Sequence, residues 1–168
     1  MNSYYEKFLA TGEVKCIDDE IPFEIPQGWE WERWGNISLS IQYGYNAPAI
    51  ERGDIKMVRI SDIHENVVQW KDVPFCNIES DDVDTYLLKE NDILFARTGG
   101  TVGKSYFVSE LPEPMLVNQR VADIKINDIL NKKYCYHFIL SPYIQRIIDE
   151  SKNSTNDNIS VALINSFI

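Results

Sequence analysis

The sequence is poor in cysteine and histidine and has no long apolar run, and each scarcity excludes a class of protein. The cysteines, Cys16, Cys76 and Cys135, lie far apart and form no CxxC pair. This excludes a disulfide scaffold or a cysteine zinc site and favours free thiols in a reducing compartment. His64 and His137 lack metal-ligand spacing. No stretch approaches the ~18 apolar residues of a membrane span, and the N-terminus does not resemble a signal peptide. We therefore expect a soluble cytoplasmic protein without a metal.

Acidic residues are abundant but unevenly spread along the 168 residues, whose formal net charge is −10. Residues 1–32 carry a net charge of −6 and residues 77–92 a net charge of −5, which leaves +1 for the remainder. The total argues against nonspecific nucleic-acid binding over the whole surface. A local positive face remains possible outside the two acidic segments.

Helical and strand-like patterns alternate along the chain without a repeating strand–helix–strand unit. Strands are predicted at residues 55–60, 67–70, 93–96, 105–108 and 121–126. Helices are predicted at residues 3–10, 79–88 and 130–151, the last one kinked or split by Pro142, and Ser160 is positioned to cap a short final helix. The fold class expected is α+β, with a mixed, largely antiparallel twisted sheet and flanking helices.

Residues 13–34 contain two prolines followed by three closely spaced tryptophans. Residues 13–28 are predicted to be an extended connector because Pro22 and Pro26 disfavour helix. The alternation of Trp29, Trp31 and Trp34 places them on one side of an extended segment, and we expect them to be core residues.

The glycine-rich segment 97–104 resembles a nucleotide-binding loop in composition, but the spacing of its glycines does not fit one. A P-loop requires a glycine where Thr98 stands, and a strand instead of a helix is predicted after Lys104. The sequence has no GxSxG elbow and no adenine-methyltransferase signature, so no cofactor is expected. An acid–x–lysine pair typical of nucleases occurs at Glu13-Val14-Lys15, but within the predicted connector.

Five segments, in this order, resemble the specificity subunits of type I restriction–modification enzymes. They are residues 21–31 (IPFEIPQGWEW), 54–63 (DIKMVRISDI), 91–104 (NDILFARTGGTVGK), 118–121 (NQRV) and 158–163 (NISVAL). The resemblance implies a DNA target recognition domain at residues 21–168, with residues 1–20 as the tail of a preceding helix and linker. Because the chain stops within an apolar run at Ile168, we expect a fragment of a longer subunit.

The resemblance also implies the function. Such a domain reads one half of a bipartite target in double-stranded DNA and is not itself catalytic. Methyltransferase (modification) subunits carry S-adenosylmethionine, and a motor-nuclease subunit cleaves. These subunits and DNA are therefore the expected partners.

The chemistry of individual side chains indicates which positions could bind DNA. The glycine-rich loop offers cations, hydroxyls and accessible amides for phosphates through Arg97, Thr98, Gly99, Gly100, Thr101 and Lys104. Arg59, Asn118, Gln119 and Arg120 are candidates for base reading. A second loop contributes Tyr43, Tyr45 and Asn46. The glycines could instead form only a tight turn, and the tyrosines could pack beneath a loop. Base specificity could also lie in unmarked loops such as residues 61–82.

Two other functions stay open at this point. The acidic total and apolar ends also fit a protein-interaction adaptor, and the acid clusters fit a small hydrolase using Asp82 or Asp92. Of the three hypotheses, DNA binding makes the most specific prediction about the structure. It requires Arg59, Arg97, Lys104 and Arg120 to converge on one face and the 97–104 turn to be open to solvent.

Overall fold

A computed structural model describes residues 3–65, 67–79, 81, 83–155 and 158–168 of the chain. The strands are β1 (Tyr5–Lys7), β2 (Val14–Cys16), β3 (Ser38–Tyr43), β4 (Ile55–Val58), β5 (Ile63–His64), β6 (Val67–Val68), β7 (Phe75–Cys76), β8 (Ile93–Ala96), β9 (Ser105–Phe107), β10 (Met115–Val117) and β11 (Val121–Ile126). The α-helices are α1 (Trp34–Ile37), α2 (Lys132–Ile139), α3 (Pro142–Thr155) and α4 (Val161–Ser166).

The strands form several small sheets. The main sheet has the order β3-β11-β8-β9 and is antiparallel throughout. A second sheet has the order β10-β4-β7, in which β10 and β4 run parallel. The pairs β1-β2 and β5-β6 are separate antiparallel hairpins. The predicted class, α+β with mixed and largely antiparallel pairing, is confirmed.

The main sheet is covered on both faces because its strands alternate between two apolar clusters. In β8, Ile93 and Phe95 join Trp34 and the residues of α2, α3 and α4, whereas Leu94 faces Met115 and the opposite cluster. Side chains alternate across a strand with a period of two. A strand buried on both faces therefore requires the continuous apolar run predicted at residues 93–96.

The C-terminal helices begin near residue 130 and divide at Pro142 as predicted, but α3 continues to Thr155, past the predicted end at residue 151. Pro142 is the first residue of α3, a position where its missing N–H costs no helical hydrogen bond. It therefore divides the predicted 130–151 helix into α2 and α3. The side chain of Ser160 accepts a hydrogen bond from the Leu163 N–H at 3.1 Å, which caps α4 as predicted.

The helix predicted at residues 3–10 is wrong. Tyr5–Lys7 form a strand that pairs with Val14–Cys16, so part of the predicted connector is also strand. Gly12 adopts a φ of 74°, and this left-handed residue lies between the two strands instead of ending a helix. Arg33 secures the hairpin through hydrogen bonds from Nε and Nη2 to the Glu6 carboxylate at 3.0 and 2.8 Å.

Two further expectations fail in part. Of the three tryptophans, Trp34 is buried, Trp31 is half-buried and Trp29 is 55% exposed, because residues 29–33 form no strand. The helix predicted at residues 79–88 is only a 3₁₀ turn at Val83–Tyr86. Ser80 and Asp82, which belong to that prediction, lie outside the described residues.

Candidate nucleic-acid interface

One end of the main sheet gathers the loops that the sequence analysis singled out. Since the sheet is antiparallel, β3 and β8 end where β11 and β9 begin. The segments after Tyr43, after Ala96 and before Val121 therefore emerge side by side. The Gly44 N–H donates to the Val121 carbonyl at 3.0 Å, and the Arg97 N–H donates to the Arg120 carbonyl at 3.1 Å.

The second sheet brings Arg59 to the same place. Strands β4 and β10 run parallel and end together, and the Asn118 N–H donates to the Val58 carbonyl at 2.9 Å. The Gln119 N–H donates to the Tyr45 carbonyl at 3.0 Å. We call the assembled region, residues 43–46, 59, 97–104 and 118–120, the loop end. All the predicted site residues, including the four cations, thus converge on one end of the molecule.

Gly44 allows two segments of the loop end to cross at close range. A Cβ atom at this position would lie 2.2 Å from the Val117 carbonyl oxygen and 2.5 Å from that of Asn118. No side chain fits at such distances without backbone movement. The contact between residues 43–46 and 117–120 therefore depends on glycine.

The glycine-rich loop is open to solvent on one side and anchored on the other. Gly99 and Gly100 are exposed, and a Cβ at either position would meet no atom within 4 Å. Gly103 faces inward, where Gln145 and Ile148 of α3 lie 3.2 and 3.3 Å from the position of a Cβ. Lys104 follows with an exposed side chain. The loop is a tight turn, with a 3₁₀ turn at Gly99–Thr101, and it also presents an accessible backbone.

Arg97 is held by its neighbours instead of extending into solvent. Its guanidinium carbon lies 4.1 Å from the centre of the Tyr43 ring, and its Nη1 donates to Asn158 Oδ1 at 3.2 Å. The Tyr43 hydroxyl in turn accepts a hydrogen bond from the Val161 N–H at 3.3 Å. The Ile159 N–H donates to the Arg97 carbonyl at 2.8 Å. Arg97 and Tyr43 thus join the ends of β3 and β8 to the start of α4.

Arg59 is also engaged within the protein. Its Nε and Nη2 donate to the two carboxylate oxygens of Asp62 at 3.1 and 2.7 Å, and these bonds raise the pKa of Arg59 above its usual value. In contrast, Lys104 and Arg120 are exposed and form no ion pair with any residue that the structure describes. These two side chains are the cations of the loop end available to an external anion.

The remaining predicted residues divide into buried supports and exposed groups. Tyr45 is buried, its hydroxyl accepts a hydrogen bond from the Glu79 N–H at 2.8 Å, and its ring packs against Tyr86. Tyr45 therefore packs beneath the loop, as the alternative interpretation describes. Asn118 shapes its own turn, because its Oδ1 accepts from the Arg120 N–H at 3.1 Å. Asn46 and Gln119 are exposed.

Sequence reasoning missed a buried charge cluster on the main sheet. Asp123-Ile124-Lys125 has acid–x–lysine spacing on β11, and the Lys125 ammonium contacts the carboxylates of both Asp123 and Asp92. The Lys125 ammonium lies 2.7 Å from a carboxylate oxygen of Asp123. Burial, together with the charge of Asp92, raises the pKa of Asp123 to about 7.

This cluster does not form an open active site. Asp123 is 1% exposed and Asp92 is 4% exposed, so a substrate phosphate cannot reach either carboxylate. Across the described residues, no group of three or more His, Cys, Asp and Glu side chains is placed to hold a metal ion. None of the described helices is long and apolar enough to cross a membrane.

Comparison with known proteins identifies the family. Residues 46–168 match the model of the type I restriction modification DNA specificity domain. The chain belongs to this family. Its match includes all of the loop end except residues 43–45.

Curated relatives of this family are longer than the chain. The specificity subunit of the type I restriction enzyme EcoAI from Escherichia coli is 36% identical over 115 residues, which are 64% of this chain and 19% of that protein. The MjaIX specificity subunit from Methanocaldococcus jannaschii is 27% identical over 142 residues, covering 82% of this chain and 32% of the relative. The chain therefore spans about a fifth to a third of these proteins.

Solved structures share the fold at low sequence identity. The HsdS subunit from Thermoanaerobacter tengcongensis superimposes with a TM-score of 0.60 at 14% identity, over 86% of this chain and 33% of that one. A chain from a study of complex assembly and conformational transition of the type I R-M system gives a TM-score of 0.62 at 16% identity. This match covers 86% of the present chain and 34% of the other chain. Both likenesses extend well beyond the main sheet.

Proposed function

We propose that this chain binds double-stranded DNA sequence-specifically and reads one half of a bipartite target. Methyl transfer and cleavage are left to other subunits. The observation that carries this proposal is the convergence at the loop end. Three loops of the main sheet and the end of the second sheet bring the predicted cations, hydroxyls and glycine amides to one end of the main sheet.

The loop end offers the groups that bind phosphates in DNA complexes. Lys104 and Arg120 are exposed cations, and the exposed backbone at Gly99 and Gly100 can approach a phosphate closely. The flank beside Tyr45 carries acidic side chains, since the Glu79 N–H donates to the Tyr45 hydroxyl and Glu79, Asp81 and Asp84 are exposed. The arrangement therefore favours a few positioned phosphate contacts over a broad electropositive surface.

The family supports further proposals about context. Its named relatives are specificity subunits of type I restriction enzymes, so we propose that methyltransferase subunits and a motor-nuclease subunit are the protein partners. Residues 21–168 are proposed to form the target recognition domain and residues 1–20 a linker, within a cytoplasmic complex. Binding of purified methyltransferase subunits to this chain, measured with and without DNA, tests the partner assignment.

The salt dependence of duplex binding tests the proposed function. Each neutralised phosphate contributes about −0.9 to the slope of log K against log salt concentration. With two to four contacts, affinity should fall about 10- to 150-fold between ~50 and ~200 mM salt. A Lys104→Gln variant should reduce the magnitude of the slope by about 1.

The matched control is Lys133→Gln. Lys133 is exposed near the start of α2, beyond the opposite end of β11, and it forms no ion pair with a described residue. This control should bind like the wild type. Binding without salt dependence, or equal effects of the two lysine substitutions, would contradict the proposal.

A further inference from the structure

The β5–β6 hairpin stands beside the glycine-rich loop at the loop end. Ile63 pairs with Val68, and His64 pairs with Val67. A surface cavity of about 340 Å³ is lined by Ile63 and Glu65 from the hairpin together with the segment 102–105 of the glycine-rich loop and β9. A duplex resting on Lys104 would therefore lie next to this hairpin.

The hairpin is anchored by one pair of side chains and exposes the others. Ile63 and Val68 are each 5% exposed and belong to the apolar cluster beneath the main sheet. His64 and Glu65 are exposed, and Val67 is 52% exposed although it is apolar. The anchoring pair fixes the hairpin on the core, and the outward side chains are accessible from solvent.

The chemistry of the exposed side chains suits base edges better than phosphates. The carboxylate of Glu65 repels a phosphate but accepts a hydrogen bond from the amino group of cytosine. Val67 offers an apolar contact for the methyl group of thymine. His64 can donate a ring N–H to a base acceptor.

We propose that the β5–β6 hairpin enters the major groove and reads bases through His64, Glu65 and Val67. This inference rests on the proposed DNA-binding function. The major groove admits a two-stranded β-ribbon as well as a helix. Just before the hairpin, Asp62 neutralises Arg59. The approach to the hairpin thus adds little nonspecific attraction, and phosphate contact falls to Lys104 and Arg120.

This division of roles predicts two separable effects. Changing a hairpin side chain should alter which sequences bind but leave the salt slope unchanged. Changing Lys104 should weaken binding to all sequences and reduce the slope.

The test is selection from a pool of randomised duplexes, carried out with the 168-residue chain and a Glu65→Gln variant. Glutamine pairs with adenine where glutamate accepts from cytosine. The variant should shift the preference at one position from cytosine towards adenine, with a discrimination of about 5- to 150-fold. A Val67→Ser variant should separately weaken the preference for thymine at a neighbouring position.

The matched control is Glu90→Gln, which makes the same change of charge in the exposed turn before β8, at the opposite end of the main sheet. It should leave the selected sequences unchanged. The thermal unfolding midpoint of each variant verifies that the hairpin remains folded.

The outcomes separate this inference from the proposed function. Unchanged preferences in both hairpin variants would overturn the inference while leaving DNA binding intact. Equal weakening on every sequence would also overturn it, because that result indicates a nonspecific role. Absence of salt-dependent duplex binding by the wild-type chain would overturn the proposed function itself.

Discussion

Replacing Tyr43 with leucine should loosen the loop end, because the ring and the hydroxyl of Tyr43 each make one defined contact. The ring lies 4.1 Å from the guanidinium carbon of Arg97, an interaction worth about 0.5–2 kcal/mol depending on exposure. The hydroxyl accepts a hydrogen bond from the Val161 N–H at 3.3 Å, worth about 0.5–1.5 kcal/mol. Since Tyr43 is 40% exposed, the lower half of each range applies. The free energy of unfolding should fall by about 1–2 kcal/mol.

Urea unfolding of four chains isolates the ring contact. The wild type, Tyr43→Leu, Arg97→Gln and the double variant form a double-mutant cycle, and Tyr43→Phe measures the hydroxyl alone. We expect a coupling energy between Tyr43 and Arg97 of about 0.5–1 kcal/mol. A coupling below about 0.3 kcal/mol would refute the reasoning, because independent sites add within that margin.

Two further predictions concern the support beneath the loop end. Because burial raises the pKa of Asp123 from 3.8 to about 7, the folded chain binds more protons between these values and loses stability as pH rises from ~4 to ~7, by at most about 4 kcal/mol. An Asp123→Asn variant should lose this dependence in urea unfolding across that pH range, and an unchanged profile would contradict the prediction. Gly44→Ala should lower the midpoint of thermal unfolding and weaken duplex binding, because its Cβ would meet the Val117 carbonyl oxygen at 2.2 Å. If the unfolding midpoint and the duplex affinity both kept their wild-type values, the backbone around residues 44 and 117 would be able to move apart, and the prediction would be wrong.

Local chemistry in the sequence predicts several elements correctly. The apolar run at 93–96, the proline that begins α3 and the serine that caps α4 each have one strong structural consequence. Gly12 is compatible with two local structures, since a glycine can end a helix or connect two strands. Strand pairing and the Arg33–Glu6 contact favour the strand connection over the helix end. The spacing of apolar residues in the sequence reveals neither interaction.

The candidate interface also has features that the sequence predicts and features that only the fold reveals. Loop composition predicts which residue types are available, but their convergence depends on the antiparallel order of the main sheet. The engagement of Arg59 has a local signal, an acid three residues later at Asp62. The contact of Arg97 with Tyr43 has none, because the two residues meet only after β3 and β8 join the same sheet. The Asp123–Lys125 spacing was visible in the sequence, but its burial was not.

The central claim is that the loop end forms the interface with duplex DNA, and amide hydrogen exchange of the chain with and without duplex tests it most directly. We expect slower exchange on binding at residues 43–46, 97–104 and 118–120, with no change at residues 89–92 and 127–133 at the opposite end. Protection centred on that opposite end, or on the exposed surface around Trp29, would contradict it.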